Sequence, residues 1–557
     1  MKGGHVRPSR LILIPALGFL ALFFVYPLIE IFRQSLAPNG DFSLAPFETV
    51  LGDSFFLGRL WFTAWQALAS TALTLALGLP SAYVFARYEF RGKTTIRALT
   101  TIPFVLPVVV VAIAFTALLG PTGVLNEALQ SIFGLSQPPI RVLNTITVIL
   151  LAHAFYNYTI VVRTVSALWA NIDPRTEEAA RVLGGGAVAV FWRVTLPQIA
   201  PAVLSAALLV FMFSFTSFGV VLILGGPEFA TLEATIYNLT ARLLRLPLAA
   251  ALAIVQIVFT LAVMWTYARL QARTATPLSL QPQSAATRRI RGRRQRLLIG
   301  LNFGLVFLWL GAPLLALVER SFRGAEGYTF AFYKALENNA QEQFFFVSLS
   351  EALRNSLWFA AVTVLIAVPL GTVLAFAVAR VRGRWRPIAD ALAMLPLGVS
   401  VITLAFGILI ALDSGPLDLR ASWVIIVVAH TLIAYPFVMR SVLSVVRGID
   451  ERLHEAAATL GASPTQTVRR VDLPIVSRAM LVGATFAFAI SIGDFGAALL
   501  LSRPEFSTMN VAIFRYLSLP GGERLGAALA MSVVLMLVSG IGFLLIERFR
   551  YRDVGEF

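Results

Sequence analysis

The sequence predicts an all-α polytopic membrane protein built as two parallel-repeat halves of about six transmembrane helices each. Three observations lead there. Of 557 residues, 58% are hydrophobic and only 13% charged, with a mean hydropathy of +0.80, well beyond the roughly 45–50% apolar content of a soluble domain. The apolar residues gather into stretches of about 20, the length that carries a helix across the hydrocarbon layer, where a chain must satisfy its own backbone groups. The second half of the chain also repeats the first in register.

In chain order the apolar stretches fall near 11–31, 60–86, 98–119, 143–166, 199–224, 247–270, 297–318, 355–379, 388–411, 421–445, 476–500 and 525–547. The first follows a basic start (Lys2, Arg7, Arg10). It is too long for a signal-peptide core and lacks a small-residue cleavage site, so it reads as a retained span. An even count puts both termini on one side. Assigning them to the cytoplasm places 32 of the 45 Lys and Arg on the inner segments 1–10, 87–97, 163–197, 269–296, 380–386, 440–478 and 548–557, as the positive-inside rule requires. That distribution accounts for the formal charge of +16 without nucleic acid as a partner. With no cysteine there is neither a disulfide nor a thiolate site, so redox chemistry does not give the compartment and the membrane pattern has to carry localisation. Residues 271–296, rich in Ser, Gln, Pro and Arg, read as a basic cytoplasmic linker between a first domain (1–270) and a second (297–557), with arginines that fix topology and touch anionic lipid.

The halves align closely. Pro227-Glu228-Phe229-x-Thr231 recurs as Pro504-Glu505-Phe506-x-Thr508, Phe218-Gly219 as Phe495-Gly496, and Ala152-His153 with Tyr158 and Arg163 as Ala429-His430 with Tyr435 and Arg440, all offset by 277. Upstream, Gly78, Arg87 and Pro103 pair with Gly371, Arg380 and Pro396 at an offset of 293, so the first half carries 16 extra residues in the outer loop near 120–142. Six spans per half make the repeat parallel, with its pseudo-twofold along the membrane normal and a path expected between the halves.

The most specific signal lies between the fourth and fifth spans of each half, in loops 171–197 and 448–474. The first reads Glu178-Ala179-Ala180-x3-Gly184-x9-Val194-x-Leu196-Pro197. The second reads Glu455-Ala456-Ala457-x3-Gly461-x9-Val471-x-Leu473-Pro474. Glu-Ala-Ala favours helix, the glycine permits a turn with positive φ, and Leu-Pro is expected to set where the next span begins. The product is a short helix across the membrane base whose alanines allow close approach by a partner, with Arg181, Arg193, Arg469 and Arg470 nearby as polar anchors. Gly185 and Gly186 are expected to give the first turn slack that Ala462 and Ser463 deny the second.

This pattern resembles the coupling-loop signature of permease subunits of binding-protein-dependent ABC importers, with Val194 and Val471 in place of isoleucine. The resemblance covers essentially the whole chain and is similar to the thiamine and ferric-iron importers, in which one chain supplies both transmembrane domains. Leu150-Leu151-Ala152-His153-Ala154-Phe155-Tyr156-Asn157 and Ser491-Ile492-Gly493-Asp494-Phe495-Gly496 resemble the thiamine type. Phe215-Thr216-Ser217-Phe218-Gly219-Val220-Val221-Leu222 with Gly225-Gly226-Pro227 resembles equally the permeases assigned to iron. The resemblance implies the type I importer permease fold and two ATP-binding subunits, each receiving one coupling helix and themselves holding ATP and Mg. It also implies a place in the bacterial plasma membrane, a periplasmic or surface-anchored solute-binding protein, and no cofactor or enzymatic activity in this chain. Gly92-Lys93-Thr94 lacks the upstream glycine of a phosphate loop, since Arg87 stands there.

Candidate path residues are Asp494, Phe495, Phe215, Phe218, Ser217, Asn157, Tyr158, Tyr435, His153 and His430. Asp494 is the one acidic residue well inside an apolar run, so it reads either as a carboxylate for a cationic solute among aromatics or as a partner to a neighbouring helix. His153 and His430, with no carboxylate adjacent in sequence, read as interhelical hydrogen-bonders ahead of metal ligands. A twelve-helix secondary transporter is the alternative. The paired loops and the shortage of intramembrane carboxylates for ion coupling argue against it, and the chain has no hydrolase or metalloprotease motif.

Overall fold

The computed structural model describes residues 10–274, 288–290, 292–324, 327–338, 347–381, 383–413 and 419–551. The centre of the expected linker, 275–287 together with 291, lies outside them. On its flanks, helix continues to Thr274 and resumes at Arg293, and Arg288–Arg289 pairs in parallel with Tyr88–Glu89 at the foot of the second span.

Among the described residues eleven helices are long and apolar enough to cross a membrane: Leu13–Leu36, Ser54–Arg87, Val108–Phe133, Ile146–Trp169, Ala187–Phe215, Leu246–Thr266, Arg293–Phe322, Leu349–Ala379, Val424–Val446, Pro464–Gly493 and Gly522–Leu544. Polar caps mark where some begin. The Asp53 carboxylate accepts from the Phe55 amide at 2.8 Å and the Ser348 hydroxyl from the Glu351 amide at 3.2 Å, satisfying amides that have no partner within the helix.

Three features depart from the sequence reading. The ninth stretch, 388–411, is not one helix. It breaks into Arg386–Ala393, a single turn at Leu395–Gly398 and a short apolar helix Val401–Ala411. Its counterpart 98–119 breaks in the same places, into Lys93–Leu99, Ile102–Val105 and Val108–Leu119. Pro103, Pro107 and Pro396 lack the N–H that would carry a helix through, and they disfavour helical backbone in the residue before them. The fifth and eleventh spans stop at Phe215 and Gly493, short of the expected 224 and 500, and short helices Gly219–Leu224 and Gly496–Leu501 follow. Finally, Leu-Pro does not start these spans. The helices begin at Ala187 and Pro464 and pass through a wide π-turn, Phe191–Thr195 and Val468–Asp472, immediately before Leu196-Pro197 and Leu473-Pro474. A proline ring collides with the carbonyl four residues back, and one wider turn accommodates it.

The helices group into two units that do not follow chain order. One comprises Leu51–Thr235 with Val258–Ser321, and the other comprises residues up to Val50, Ile236–Ile257 and Phe322 onward. The seventh span therefore packs with the first half. Phe303 lies 5.2 Å from Phe85 ring to ring, Asn302 donates to Ser81 Oγ at 2.9 Å, and Arg320 pairs with Glu127 at 2.8 Å. The first span packs with the second half: Ala16 and Phe24 join a buried cluster with Leu404, Ala405 and Ile408.

Within each unit the second or eighth span crosses its neighbour at a glycine. A methyl group on Gly78 would fall 2.7 Å from Val161 Cγ1, and one on Gly371 would fall 2.8 Å from Val438 Cβ. Val161 and Val438 are themselves 277 apart, so the repeat is one of packing as well as sequence. Small residues at such crossings let two backbones approach, which is how helices gain dispersion contacts where lipid offers no hydrophobic drive.

Candidate functional site

Each loop with the repeated Glu-Ala-Ala folds as expected into a short helix, Pro174–Val182 and Glu451–Thr459. Both start on an aspartate cap: Asp173 accepts from the Arg175 amide at 2.9 Å and Asp450 from the Arg452 amide at 3.0 Å. Both end in a left-handed glycine, with φ of +86° at Gly184 and +77° at Gly461. The next residue closes the same bond back into the helix, Gly185 N–H to Ala180 O and Ala462 N–H to Ala457 O, each at 3.0 Å. This is a Schellman ending. The slack expected of Gly185 is not seen, since it makes the same bond as Ala462.

Glu178, Ala179, Glu455 and Ala456 are exposed, whereas Ala180 and Ala457 are half-buried. Pro197, Leu473 and Pro474 are exposed and Leu196 is half-buried. The residue before each glycine is bare: Leu183 is 88% and Leu460 87% exposed, with Val182 and Trp192 also open. An apolar side chain is thus left outside at the same place in both repeats.

What the sequence reading missed is how these helices are tied down. Arg87, at the foot of the second span, donates from Nη1 to Ile172 O at 2.9 Å and from Nη2 to Glu177 Oε1 at 2.7 Å, with both charged side chains at most 10% exposed. Thr195, in the π-turn, donates to the same Glu177 oxygen at 3.1 Å. In the second half the corresponding residues are Arg380, His454 and Asp472. The His454 ring nitrogen lies 2.7 Å from Asp472 Oδ1. Burial lowers Arg380 from its ordinary pKa, while the charge of Asp472 pulls it back up. The carboxylate has thus moved from the short helix to the π-turn, where its charge still acts on the arginine. Aligning residues 177 with 454 and 195 with 472 would have revealed the exchange.

The candidate path residues sit on the repeat as well. His153 places Nδ1 2.9 Å from Ser70 Oγ and Nε2 2.8 Å from Ser217 Oγ. His430 places Nδ1 2.8 Å from Ser491 Oγ and Nε2 3.2 Å from Asp494 Oδ2. The Asp494 side chain, 6% exposed, also accepts the Ala498 amide at 2.9 Å. Its carboxylate therefore joins the end of one span to the first turn of the short helix after it. Phe215 is buried and stacked 4.5 Å from Phe259, and Phe495 meets Phe514 at 5.2 Å. Phe218, Asn157, Tyr158 and Tyr435 are buried. Asn157 donates to Ser214 Oγ at 3.4 Å and Tyr435 to Ala393 O at 3.1 Å.

The repeated Pro-Glu-Phe turns are held in matching ways too. Thr63 Oγ1 accepts from the Leu232 amide at 3.0 Å, and Ser356 Oγ accepts from the Met509 amide at 2.9 Å. In the first half Arg59 adds a bond to Glu228 O at 2.6 Å.

Two half-chains of membrane helices, each carrying a short helix that ends on an exposed leucine and a left-handed glycine, make this a two-half polytopic membrane protein. Both halves match the family described as the binding-protein-dependent transport system inner membrane component, over residues 74–276 and 367–552, and the chain belongs to that family as a fused, two-half permease of an ABC importer. It is 26% identical over 532 residues to the thiamine transport system permease protein ThiP of Escherichia coli, covering 93% of this chain and 92% of the relative. It is 27% identical over 551 residues to ThiP of Haemophilus influenzae, covering 96% and 95%. PhnU of Salmonella typhi, provisionally named a 2-aminoethylphosphonate transport system permease protein, is 30% identical over 271 residues, covering 48% of this chain and 93% of the relative.

Proposed function

We propose that this permease imports thiamine, or its phosphates, delivered by a solute-binding protein. Transport is driven by two copies of an ATP-hydrolysing subunit that hold ATP and Mg and dock at Pro174–Val182 and Glu451–Thr459. The observation that carries the docking is the pair of exposed leucines, Leu183 and Leu460, beside matched left-handed glycines. For the solute, support comes from similarity to thiamine permeases that runs through both halves, whereas the match to PhnU spans one half-length. The excess of Lys and Arg on the loops bearing the short helices supports cytoplasmic placement of those loops and of both termini.

In this reading, closure of the two ATPases moves the short helices, and the fifth and eleventh spans, continuous with the loops through the π-turns, carry that motion into the membrane. The test is ATP-dependent uptake by the complex reconstituted with its ATPase and binding protein. Thiamine uptake that neither ferric iron nor 2-aminoethylphosphonate competes away is expected. Iron uptake without thiamine uptake overturns the solute, and uptake without ATP overturns the importer mechanism.

A further inference from the structure

In the first half the short helix is fixed at one point to the foot of the second span, and in the second half it is tied to the π-turn. In the first half a buried arginine grips both the chain leading into the helix, at Ile172 O, and its first turn, at Glu177. The π-turn adds Thr195 to the same carboxylate. The wide turn matters because one additional residue rotates the side chain at its end, and Thr195 and Asp472 are the terminal residues of the two π-turns. In the second half the acid and its partner are exchanged: His454 stands on the short helix and Asp472 on the π-turn, 2.7 Å apart, with Arg380 at the foot of the eighth span feeling the charge of Asp472. Arg181, 47% exposed and 3.7 Å from Glu177, is a peripheral addition that the second half lacks. Each half therefore keeps one arginine, one carboxylate and one further hydrogen-bonding side chain, distributed over the same three elements.

We propose that Arg87–Glu177–Thr195 and Arg380–Asp472–His454 are latches that position the two short helices for their ATPase subunits, so that these six are positioning residues for coupling. The proposal rests on the docking role given above for the short helices. In the first half a buried carboxylate facing a buried arginine is costly to break from one side, because the group left behind has no water to turn to, and in the second half the buried Asp472 would likewise lose its His454 partner. The latch therefore holds the loop as a rigid lever, and the exposed leucine and glycine turn at its far end are presented in one orientation.

The exchange between halves supplies the test. His454→Glu alone sets two carboxylates against each other at a 2.7 Å contact. Adding Asp472→Thr rebuilds the first-half arrangement in the second half. The complex is purified through a tag on this chain, and two quantities are read: the ATPase subunit retained per chain after a high-salt wash, and ATP hydrolysis per chain. The thermal midpoint of the chain itself serves as the control for folding. His454→Glu is expected to lower retention and hydrolysis at least fivefold, and the double variant to return both to within twofold of the parent. If the single variant also lowers the thermal midpoint, recovery of all three readouts in the double variant still supports the latch. A single variant equal to the parent, or a double variant no better than the single, overturns the proposal. A parent chain that retains no ATPase subunit overturns the docking reading itself.

Discussion

His430 Nε2 stands 3.2 Å from Asp494 Oδ2, at the place where the other half sets His153 Nε2 against the hydroxyl of Ser217. The carboxylate is thus one member of a hydrogen-bonded joint found in both halves, replaced in one of them by a neutral hydroxyl. It also receives the Ala498 amide at the start of the short helix Gly496–Leu501. Both bonds fall on one oxygen, Oδ2, so a single amide oxygen in its place still accepts them, though more weakly than a carboxylate, and asparagine suits the start of a helix. Asp494→Asn should therefore keep uptake within about twofold of the parent. Asp494→Leu leaves His430 Nε2 and the Ala498 amide without their Asp494 partner in an apolar setting, at about 1–3 kcal/mol for each group, and should lower the thermal midpoint in detergent. Paired uptake and melting measurements check this. A tenfold loss of uptake in Asp494→Asn with unchanged melting would instead put the negative charge on the solute's route.

A second expectation concerns sidedness and docking together. The chain has no cysteine, so Leu460→Cys creates a single thiol at a position 87% exposed. A membrane-impermeant maleimide should label it in inverted vesicles and not in right-side-out ones. Adding back the ATPase subunit to stripped inverted vesicles should cut the labelling rate several-fold. Labelling from the outer side would reverse the topology drawn from the basic residues.

How far the sequence carried the reading depends on what each physical signal reports. Hydropathy tells that Leu13–Leu36 and Arg293–Phe322 leave water, but lipid and protein are equally apolar neighbours. Nothing in those stretches says that the first packs against Leu404 and Ile408 and the seventh against Phe85. The short helices were legible because Glu-Ala-Ala and the glycine each have a local conformational consequence. The π-turns were not, since a proline reads equally well as a helix start or as a distortion within a helix. The Arg87–Glu177 pair joins residues 90 apart, and only comparison of the two halves, where the acid changes element, exposes it.

A third prediction compares the two crossings at Gly78 and Gly371. A methyl group on Gly78 meets Val161 side-chain atoms at 2.7 and 2.8 Å, with the nearest backbone atom, Tyr158 O, at 3.7 Å. On Gly371 it meets Val438 Cβ at 2.8 Å and also Tyr435 O at 2.9 Å. A side chain yields more readily than a carbonyl held in a helix, so Gly371→Ala should destabilise more than Gly78→Ala. The cost should be about 1–3 kcal/mol, the usual range for overpacking. Thermal midpoints of the two variants in the same detergent decide it, and equal midpoints would mean that the two crossings are equally compliant.

The last prediction isolates the turn that ends each short helix. At Gly184 and Gly461 there is open space where a side chain would point, but φ is +86° and +77°. A substitution is therefore opposed by the backbone and not by a neighbour. A β-branched residue in that region costs about 1–3 kcal/mol, and the cheapest escape is to unwind the last turn, which carries Leu183 or Leu460. Gly461→Val should insert and melt like the parent, because membrane packing does not involve this turn, yet lose most of the retained ATPase subunit and of uptake. Gly461→Asn is the sharper variant. Asparagine enters the left-handed region far more readily than valine, so it should keep at least half of the parent activity. Since both loops close the same bond to the helix, through Gly185 and Ala462, Gly184→Val and Gly184→Asn should separate in the same order. If valine and asparagine variants transport alike at the parent rate, the left-handed turn is not what presents the leucine. If both fail alike with the chain intact, the position tolerates only glycine, and the partner must approach the turn as closely as its missing side chain allows.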